Sequence, residues 1–295
     1  RQTDASLIRI YFRYICVQNR SMYTEYQPSH LLVPYIDSHW EFKGNPDYGM
    51  RIHILPDGCT DFIFTLGEVA NAVEEGSLIM QPYRSYFVGP MTKYSELVTY
   101  TESIHMFGVR FLPCGLSCFT NLPLHEFVNS RVSTNEMKAV FDDTFIEKLG
   151  EQKHVTDRIR VVEEYLLAYL ARHYQPADSH VAMAVNMINH SKGKRSVRSL
   201  MDDVCLCQRH FERKFKHYTG FTPKEYSRIV KFKNAVELLR TTTSANLLTT
   251  AVDAGYYDLA HFSKEIKSMS GNTPASFLSL TVPEETTLTY IEPQR

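Results

Sequence analysis

The spacing of hydrophobic residues changes character along the chain. Between residues 23 and 113, short runs of aromatic and β-branched residues are separated by turn signals at Pro56–Gly58 and Gly89–Pro90. Runs of this length, broken by proline and glycine, predict strands at 51–55, 60–66, 85–88 and 105–111. Because no helical pattern separates these runs, they favour a sandwich or barrel over a parallel sheet.

Helical spacing follows from about residue 122. Val155, Ile159, Val162, Leu166 and Leu170 predict one amphipathic helix that closes the first domain. The segment Gln-Pro-Ala-Asp-Ser at 175–179 predicts a short linker, and helical patterns then continue to about residue 280.

The expected fold class is α+β. A β-barrel with trailing helices is predicted over 22–177, and an all-α domain over 178–280. Residues 1–21 are expected to be an N-terminal extension, with an additional packed strand or helix as an equally open alternative. Residues 281–295 are expected to be a polar tail.

Two segments of the helical region repeat at a constant offset of 51 residues. A repeat of this kind is best recognised before other features are interpreted. The matching pairs are Phe211 and Phe262, Arg213 and Lys264, Phe215 and Ile266, Lys216 and Lys267, Gly220 and Gly271, Thr222 and Thr273, and Pro223 and Pro274.

Each repeat contains the parts of a helix-turn-helix unit. First helices are predicted at 197–204 and 247–254. In the second unit Gly255 suits a left-handed turn, Asp258 suits an N-cap, and Gly271 suits a helix end. In the first unit Cys205 and Cys207 take the turn and cap positions. Both are weaker choices, so this turn is predicted to be less stable.

A third helix, predicted at 224–240, joins the two units. At 1.5 Å per residue it would be about 25 Å long. That length could hold two recognition helices about one DNA turn, roughly 34 Å, apart on one face of a duplex.

The outward positions of the two second helices carry residue types that can contact DNA. Arginine and glutamine bond base edges, and lysine neutralises phosphate. The predicted base-reading residues are Gln208, Arg209, Glu212 and Arg213 in the first unit, and Leu259, Ala260, His261 and Lys264 in the second. The predicted phosphate contacts are Ser196, Lys216 and Lys267.

The charge distribution supports a nucleic-acid partner. The net charge is −1, but residues 189–269 contain 15 basic and 8 acidic side chains. A locally basic module on a mildly acidic carrier is typical of DNA-binding proteins. A helical bundle that does not bind DNA is the alternative interpretation.

The sequence predicts no membrane span, because it contains no run of about 18 apolar residues. The six cysteines lack the spacing of a disulfide scaffold or zinc finger. They are therefore expected to be reduced thiols of a cytoplasmic protein.

The motif AlaVal-x-x-GlyTyr-x-Asp-x-x-HisPheSerLys-x-x-Lys, followed by GlyAsnThrPro, spans residues 251–274. With it, residues 197–277 resemble the DNA-binding domain of AraC/XylS-type bacterial transcription regulators. Met201, Cys205 and Cys207 depart from the family pattern. Segments at 39–42, 55–64 and 107–113 are similar to a sensor domain that precedes such modules. The resemblance implies a cupin-like barrel, dimerisation helices and, most commonly, activation of transcription.

Catalysis and metal binding are not expected in the N-terminal domain. A cupin metal site generally needs a His-x-His motif, whereas His53, Glu102 and His105 are isolated. Asp57, Cys59 and Asp61 lie close together near a turn and could resemble a cluster of acids and a nucleophile. Turn chemistry is the stronger interpretation, with Asp57 of Pro-Asp-Gly capping its own backbone and Cys59 buried. No cofactor is expected.

A small barrel lined by aromatic residues could enclose an effector, although the same rings could simply fill the core. The candidate pocket residues are Trp40, Phe42, His53, Phe64 and Phe107. Candidate partners besides double-stranded DNA are RNA polymerase, a small-molecule effector and a second copy of the chain. The sequence therefore predicts an effector-responsive transcription regulator. The alternative is an effector-sensing protein whose helical module binds a protein.

Overall fold

The computed structural model describes residues 15–16, 22–137, 140–141, 143–173, 175–204, 206–241 and 246–278. Most of the expected N-terminal extension, the turn residue Cys205 and the expected tail 281–295 lie outside the described residues. No helix in the described ranges is long and apolar enough to cross a membrane.

Ten short strands form the N-terminal region as described. They are β1 Ile15–Cys16, β2 Tyr23–Tyr26, β3 Ile36–Gly44, β4 Met50–Ile54, β5 Thr60–Thr65, β6 Asn71–Ala72, β7 Ser85–Val88, β8 Ser95–Thr99, β9 Ile104–Phe111 and β10 Arg131–Ser133. One sheet has the order β1-β4-β8-β6 and the other β10-β7-β5-β9-β3-β2. All the strand pairs are antiparallel. The strand pairing therefore confirms the expectation that these strands do not form a parallel sheet.

Helices follow the strands. They are α1 Asp143–Gly150, α2 Val155–His173, α3 Ser179–His190, α4 Val197–Val204, α5 Gln208–Thr219, α6 Pro223–Thr241, α7 Leu247–Asp253, α8 Leu259–Ser270 and α9 Pro274–Leu278. The predicted succession of a sheet-rich N-terminal domain and a helical C-terminal domain is confirmed. The predicted helices at 197–204 and 224–240 correspond to α4 and α6.

The six-stranded sheet is buried on both faces because successive side chains of a strand point to opposite sides. Ile63 of β5 faces a cluster shared with the four-stranded sheet. Its neighbours Phe62 and Phe64 face the other side, where Phe141 and Phe145 pack against them. The apolar residues of β5 therefore divide between two cores, with Ile63 in the core between the sheets and Phe62 and Phe64 in the core beneath α1 and α2.

The C-terminal helices share a separate core. Phe211 and Phe215 of α5, and Phe262 and Ile266 of α8, are fully buried, as the i, i+4 spacing predicts. Both helices end at a glycine in the left-handed conformation, Gly220 at φ 84° and Gly271 at φ 74°. A side chain with a Cβ is strained at these angles, which explains why the repeat keeps glycine there.

The loop 89–94 of the N-terminal domain contacts both glycine caps. A Cβ at Gly220 would lie 2.6 Å from Pro90 Cγ, and a Cβ at Gly271 would lie 2.7 Å from Tyr94 Cζ. Lys233 of α6 also donates a hydrogen bond to the carbonyl oxygen of Asp57 at 3.1 Å. The sheet domain therefore packs against the ends of both second helices and against the helix that joins them.

Candidate DNA-binding surface

The start of α8 is capped as the sequence predicts. Asp258 has an extended backbone, and its carboxylate accepts a hydrogen bond from the amide of His261 at 2.7 Å. The equivalent residue of the first unit, Cys207, also has an extended backbone, but its side chain makes no capping hydrogen bond. The structure therefore shows no side-chain cap at Cys207, and the lower stability of this turn stays a prediction.

The predicted DNA contacts lie at the surface. Glu212 is half-buried and the other ten are exposed: Ser196, Gln208, Arg209, Arg213, Lys216, Leu259, Ala260, His261, Lys264 and Lys267. Gln208 donates a hydrogen bond to the Glu212 carboxylate at 2.9 Å across one turn of α5. Arg213 lies 3.2 Å from the Nδ1 atom of His210. The outward faces of α5 and α8 are thus accessible, as contact with DNA requires.

Helix α6 begins at a capping box, which was not among the features predicted from the sequence. The amide of Thr222 donates to the Glu225 carboxylate at 2.7 Å, and the amide of Glu225 donates to the Thr222 hydroxyl at 3.1 Å. The pattern Thr-x-x-Glu is a sequence signal for this arrangement. Pro223 lies between them at the first helical position, where its missing N–H has no cost.

Two ion pairs hold the recognition helices to the rest of the domain. Arg228 of α6 donates two hydrogen bonds, at 2.9 and 3.1 Å, to the carboxylate of Glu265 on α8. These bonds raise the pKa of Arg228 above its usual value. Lys214 of α5 lies 2.6 Å from Asp178, which caps α3. Sequence spacing cannot reveal such pairs because the partners are far apart along the chain.

The predicted effector-pocket residues separate in the structure. Trp40 and Phe42 line a cavity between the two sheets. Phe64 and Phe107 lie on the opposite face of the six-stranded sheet and pack in the core beneath the helices. His53 is stacked on Tyr94 at a centroid distance of 5.8 Å. Of the five predicted residues, the structure therefore brings two together at the cavity.

The cavity has a volume of about 40 Å³ and is lined mostly by apolar side chains, together with Asp61, Arg110 and Arg131. Arg110 is 3.2 Å from the carboxylate of Asp61, which also accepts a bond from the Trp40 indole at 2.7 Å. Burial raises the pKa of Asp61, although Arg110 opposes the shift. Arg131 donates to the Ser95 hydroxyl at 2.8 Å, and burial lowers its pKa. Neither arginine has a recognisable signal in the sequence, because each stands alone in a strand.

The Pro-Asp-Gly turn has the predicted structural role. Asp57 accepts a hydrogen bond from the amide of Cys59 at 2.8 Å. Burial raises the pKa of the Cys59 thiol well above its usual value, so it is not an activated nucleophile. Within the described part of the chain, no group of three or more histidine, cysteine or carboxylate side chains could hold a metal ion.

Two family matches cover much of the chain. Residues 200–279 match a family described as a helix-turn-helix domain. They include most of α4 and all of α5 to α9, with both repeated units and their glycine caps. The C-terminal domain is an AraC-type helix-turn-helix domain. The chain that carries this AraC-type domain is a DNA-binding transcription regulator. Residues 24–133 match a family described as a domain of unknown function (DUF6597).

Several solved structures are similar to the chain. ToxT from Vibrio cholerae has a TM-score of 0.48 and 9% identity, covering 82% of this chain and 98% of ToxT. A probable AraC family transcriptional regulator from Rhodopseudomonas palustris has a TM-score of 0.32 and 20% identity, covering 34% of this chain and 95% of the regulator. The xylose-binding transcription activator XylR has a TM-score of 0.33 and 18% identity, covering 43% of this chain and 40% of XylR. No curated protein sequence matches the chain significantly.

Proposed function

We propose that one chain recognises two successive major grooves of a duplex, with α5 in one groove and α8 in the next. The observation that carries this proposal is the equivalent presentation of the two helices. Each has its aromatic or aliphatic i, i+4 pair buried, its polar face exposed and its C-terminus closed by a left-handed glycine. The nineteen residues of α6 join them, and such a helix is about 28 Å long.

Helix α5 supplies most of the sequence specificity in this proposal. It presents Gln208, Arg209 and Arg213, whose side chains can bond base edges. At the position equivalent to Arg209, α8 has Ala260, which offers only a methyl group. Lys216 and Lys267 lie in the last turns of their helices and are proposed to bind phosphates.

Selection of binding sites from random duplex DNA tests this proposal. The full chain is expected to recover two half-elements about one helical turn, roughly 34 Å, apart. Arg209→Ala should lose about 1–3 kcal/mol at one base position and relax the preference there. Arg160→Ala, which changes an exposed arginine of α2, serves as the control. Equal loss by Arg209→Ala on every sequence would show that Arg209 contacts only phosphate.

We further propose that a small, mostly apolar effector in the cavity regulates DNA binding. Met91 lines the cavity, while Pro90 and Tyr94 of the same loop contact the glycine caps of α5 and α8. A cavity of about 40 Å³ holds only a few waters, so the effector has to widen it. Movement of the flexible Met91 side chain would widen the cavity and shift the loop against both recognition helices.

Indole is a suitable test compound for the cavity. It is expected to raise the melting temperature of the full chain and to change operator affinity. Leu97→Phe, which fills the cavity with a larger ring, should abolish both effects. Persistence of the melting shift in Leu97→Phe would place indole elsewhere. Activation is the proposed direction of regulation, and a reporter gene behind the selected operator measures it.

A further inference from the structure

A groove between the two helix-turn-helix units contains lysine and arginine side chains that are not among the predicted DNA contacts. It is formed by the turn before α4, the first half of α6, and the start of α8, and it has a volume of about 610 Å³. We call it the inter-unit groove. Its cationic residues are Lys194, Arg195, Lys224, Arg228 and Lys231, with His261 at the rim.

Three of these cations are available for a ligand. Lys194, Lys224 and Lys231 have no ion-pair partner within the described ranges. Arg195, in contrast, is paired with Asp203. The groove has one carboxylate, Glu265, and the two bonds from Arg228 neutralise it. The groove therefore has a surplus of positive charge.

A close backbone contact fixes one side of the groove. Gly193 has a φ of 72°, and a Cβ there would lie 2.3 Å from the carbonyl oxygen of Ser227 on α6. Only glycine fits both the left-handed conformation and this approach. The contact fixes the segment that carries Lys194 against the helix that carries Lys231. The positions of the two lysines are thus set by the fold.

The tyrosine that lines the groove adds no negative charge. This residue is Tyr256, and Lys231 Nζ lies 5.5 Å from the centre of its ring. Burial raises the pKa of the Tyr256 phenol, which therefore remains neutral. Helix α4 also begins at the rim, at Ser196 and Val197, and the N-terminal end of its dipole is positive.

The rim of the groove connects it to the DNA-binding surface. Ser196 of the first unit and His261 of the second are both predicted DNA contacts, and both line the groove. A surface that extends from a predicted contact of the first unit to a predicted contact of the second would face the part of the duplex between the two major grooves. That part is the minor groove, which has a phosphate backbone on each side.

We propose that the inter-unit groove binds DNA backbone phosphates between the two half-elements, with Lys194 and Lys231 as the principal contacts. The proposal rests on the two-groove binding described above and adds a third, sequence-independent site. Such a site strengthens binding to every sequence and fixes the orientation of the chain on the duplex.

The salt dependence of DNA binding tests the proposal with the full chain. Each phosphate contact contributes roughly 0.9 to the slope of log K against log salt. Lys194→Ala and Lys231→Ala should each lower the slope by about one unit, on the selected operator and on an unrelated duplex alike. Lys148→Ala, an exposed lysine of α1, should leave the slope unchanged. An unchanged slope in both groove variants would overturn the proposal, as would a loss of affinity confined to the operator.

Phosphate ethylation interference locates the contact. Ethylation of phosphates midway between the half-elements should block binding of the unaltered chain and have little effect on the Lys194→Ala/Lys231→Ala double variant. Equal interference in both proteins would overturn the proposal. If the unaltered chain selects no two-part operator, the two-groove proposal fails. If it selects one while the groove variants keep the slope, only the groove proposal fails.

Inorganic phosphate distinguishes a DNA backbone from a free anion. Thermal unfolding is compared in phosphate and chloride at equal ionic strength, with and without the double substitution. The groove proposal expects phosphate to have at most a weak effect, because a single anion makes only part of the contact. Millimolar stabilisation that the double variant loses, together with an unchanged DNA salt slope, would assign the groove to a free anion and overturn the proposal.

Discussion

The two helix caps of the repeat provide a matched experiment on the stability of the recognition helices. Asp258 and Cys207 occupy equivalent positions, and both have an extended backbone that suits an N-cap. The difference between them is that Asp258 accepts the amide proton of His261, whereas Cys207 makes no such bond. Removing the carboxylate at Asp258 should therefore destabilise the start of α8, and introducing a carboxylate at Cys207 should stabilise the start of α5.

The expected magnitude follows from the lost bond and the helix dipole. Replacing an N-cap aspartate by alanine costs about 1 kcal/mol. Removing the negative charge at the start of the helix costs about 0.3–1 kcal/mol more. Asp258→Ala should therefore destabilise the start of α8 by about 1–2 kcal/mol. Since 1.4 kcal/mol corresponds to about tenfold in an opening equilibrium, exchange of the His261 amide should accelerate about tenfold.

Cys207→Asp should have the opposite effect on α5. The new carboxylate can accept the amide of His210, which lies three residues further on and in the structure donates to the carbonyl oxygen of Cys207 at 3.0 Å. Amides of a first helical turn have no partner four residues back within the helix, so a side-chain acceptor adds a bond there. We expect slower exchange in the first turn of α5 by about fivefold to tenfold, which corresponds to about 1 kcal/mol.

Hydrogen exchange measured by NMR on the DNA-free chain gives both results. The α2 amides serve as the internal control because that helix packs in the other domain. Unchanged exchange of His261 in Asp258→Ala would refute the cap argument for α8. Equal exchange of the α5 amides before and after Cys207→Asp would show that the cysteine turn is not the weak point of the first unit.

Three further predictions concern the domain core, a phosphate contact and pH. Phe262→Ala should destabilise the C-terminal domain by about 3–5 kcal/mol, because the ring is fully buried. Urea unfolding followed by circular dichroism measures the free energy of unfolding, and a loss below about 1 kcal/mol would contradict the assigned core. Lys267→Ala should weaken binding to all duplexes and lower the salt slope by about one unit, and an unchanged slope would remove it from the phosphate contacts. Burial raises the pKa of Asp178, but bonds from Lys214 and the Val181 amide outweigh it and leave the pKa below its usual range. A lowered carboxyl pKa stabilises the folded state above the unfolded-state value of about 3.9, and this stability is lost as pH falls through the folded-state pKa. Asp178→Asn should therefore be less stable than the unaltered chain at pH 7, and the difference should vanish in acid; a difference that persists at pH 2 would exclude the charge as its cause.

The C-terminal domain was predictable because its signals are local. Gly220 and Gly271 mark helix ends, Asp258 marks a helix start, and the phenylalanine spacing marks the buried faces. Each of these signals depends on a few neighbouring residues. The repetition at one offset then identified the two units as equivalent, which single motifs cannot do.

The cavity of the N-terminal domain was only partly predictable. An aromatic residue in a strand is recognisable, but the face to which it points depends on register and on what covers the sheet. Both faces of the six-stranded sheet are buried, so Phe64 and Trp40 give the same signal in the sequence and lie in different cores. The pairing of Arg110 with Asp61 joins residues on neighbouring strands and has no local signature.

The contact between the domains also depends on tertiary structure. Pro90 and Tyr94 lie in a loop whose sequence indicates only a turn. Their proximity to the glycine caps of α5 and α8 follows from how the two domains pack. Contacts of this kind between domains are evident in the structure and have no local signal in the sequence.

The distance between the half-elements tests the central claim most directly. The affinity of the full chain should be measured on the selected operator with insertions of 5 and 10 base pairs between the half-elements. Because α6 fixes the separation of α5 and α8 within one chain, both insertions should reduce binding to that of a single half-element. Affinity that is unaffected by either insertion would show that one chain does not occupy two successive grooves.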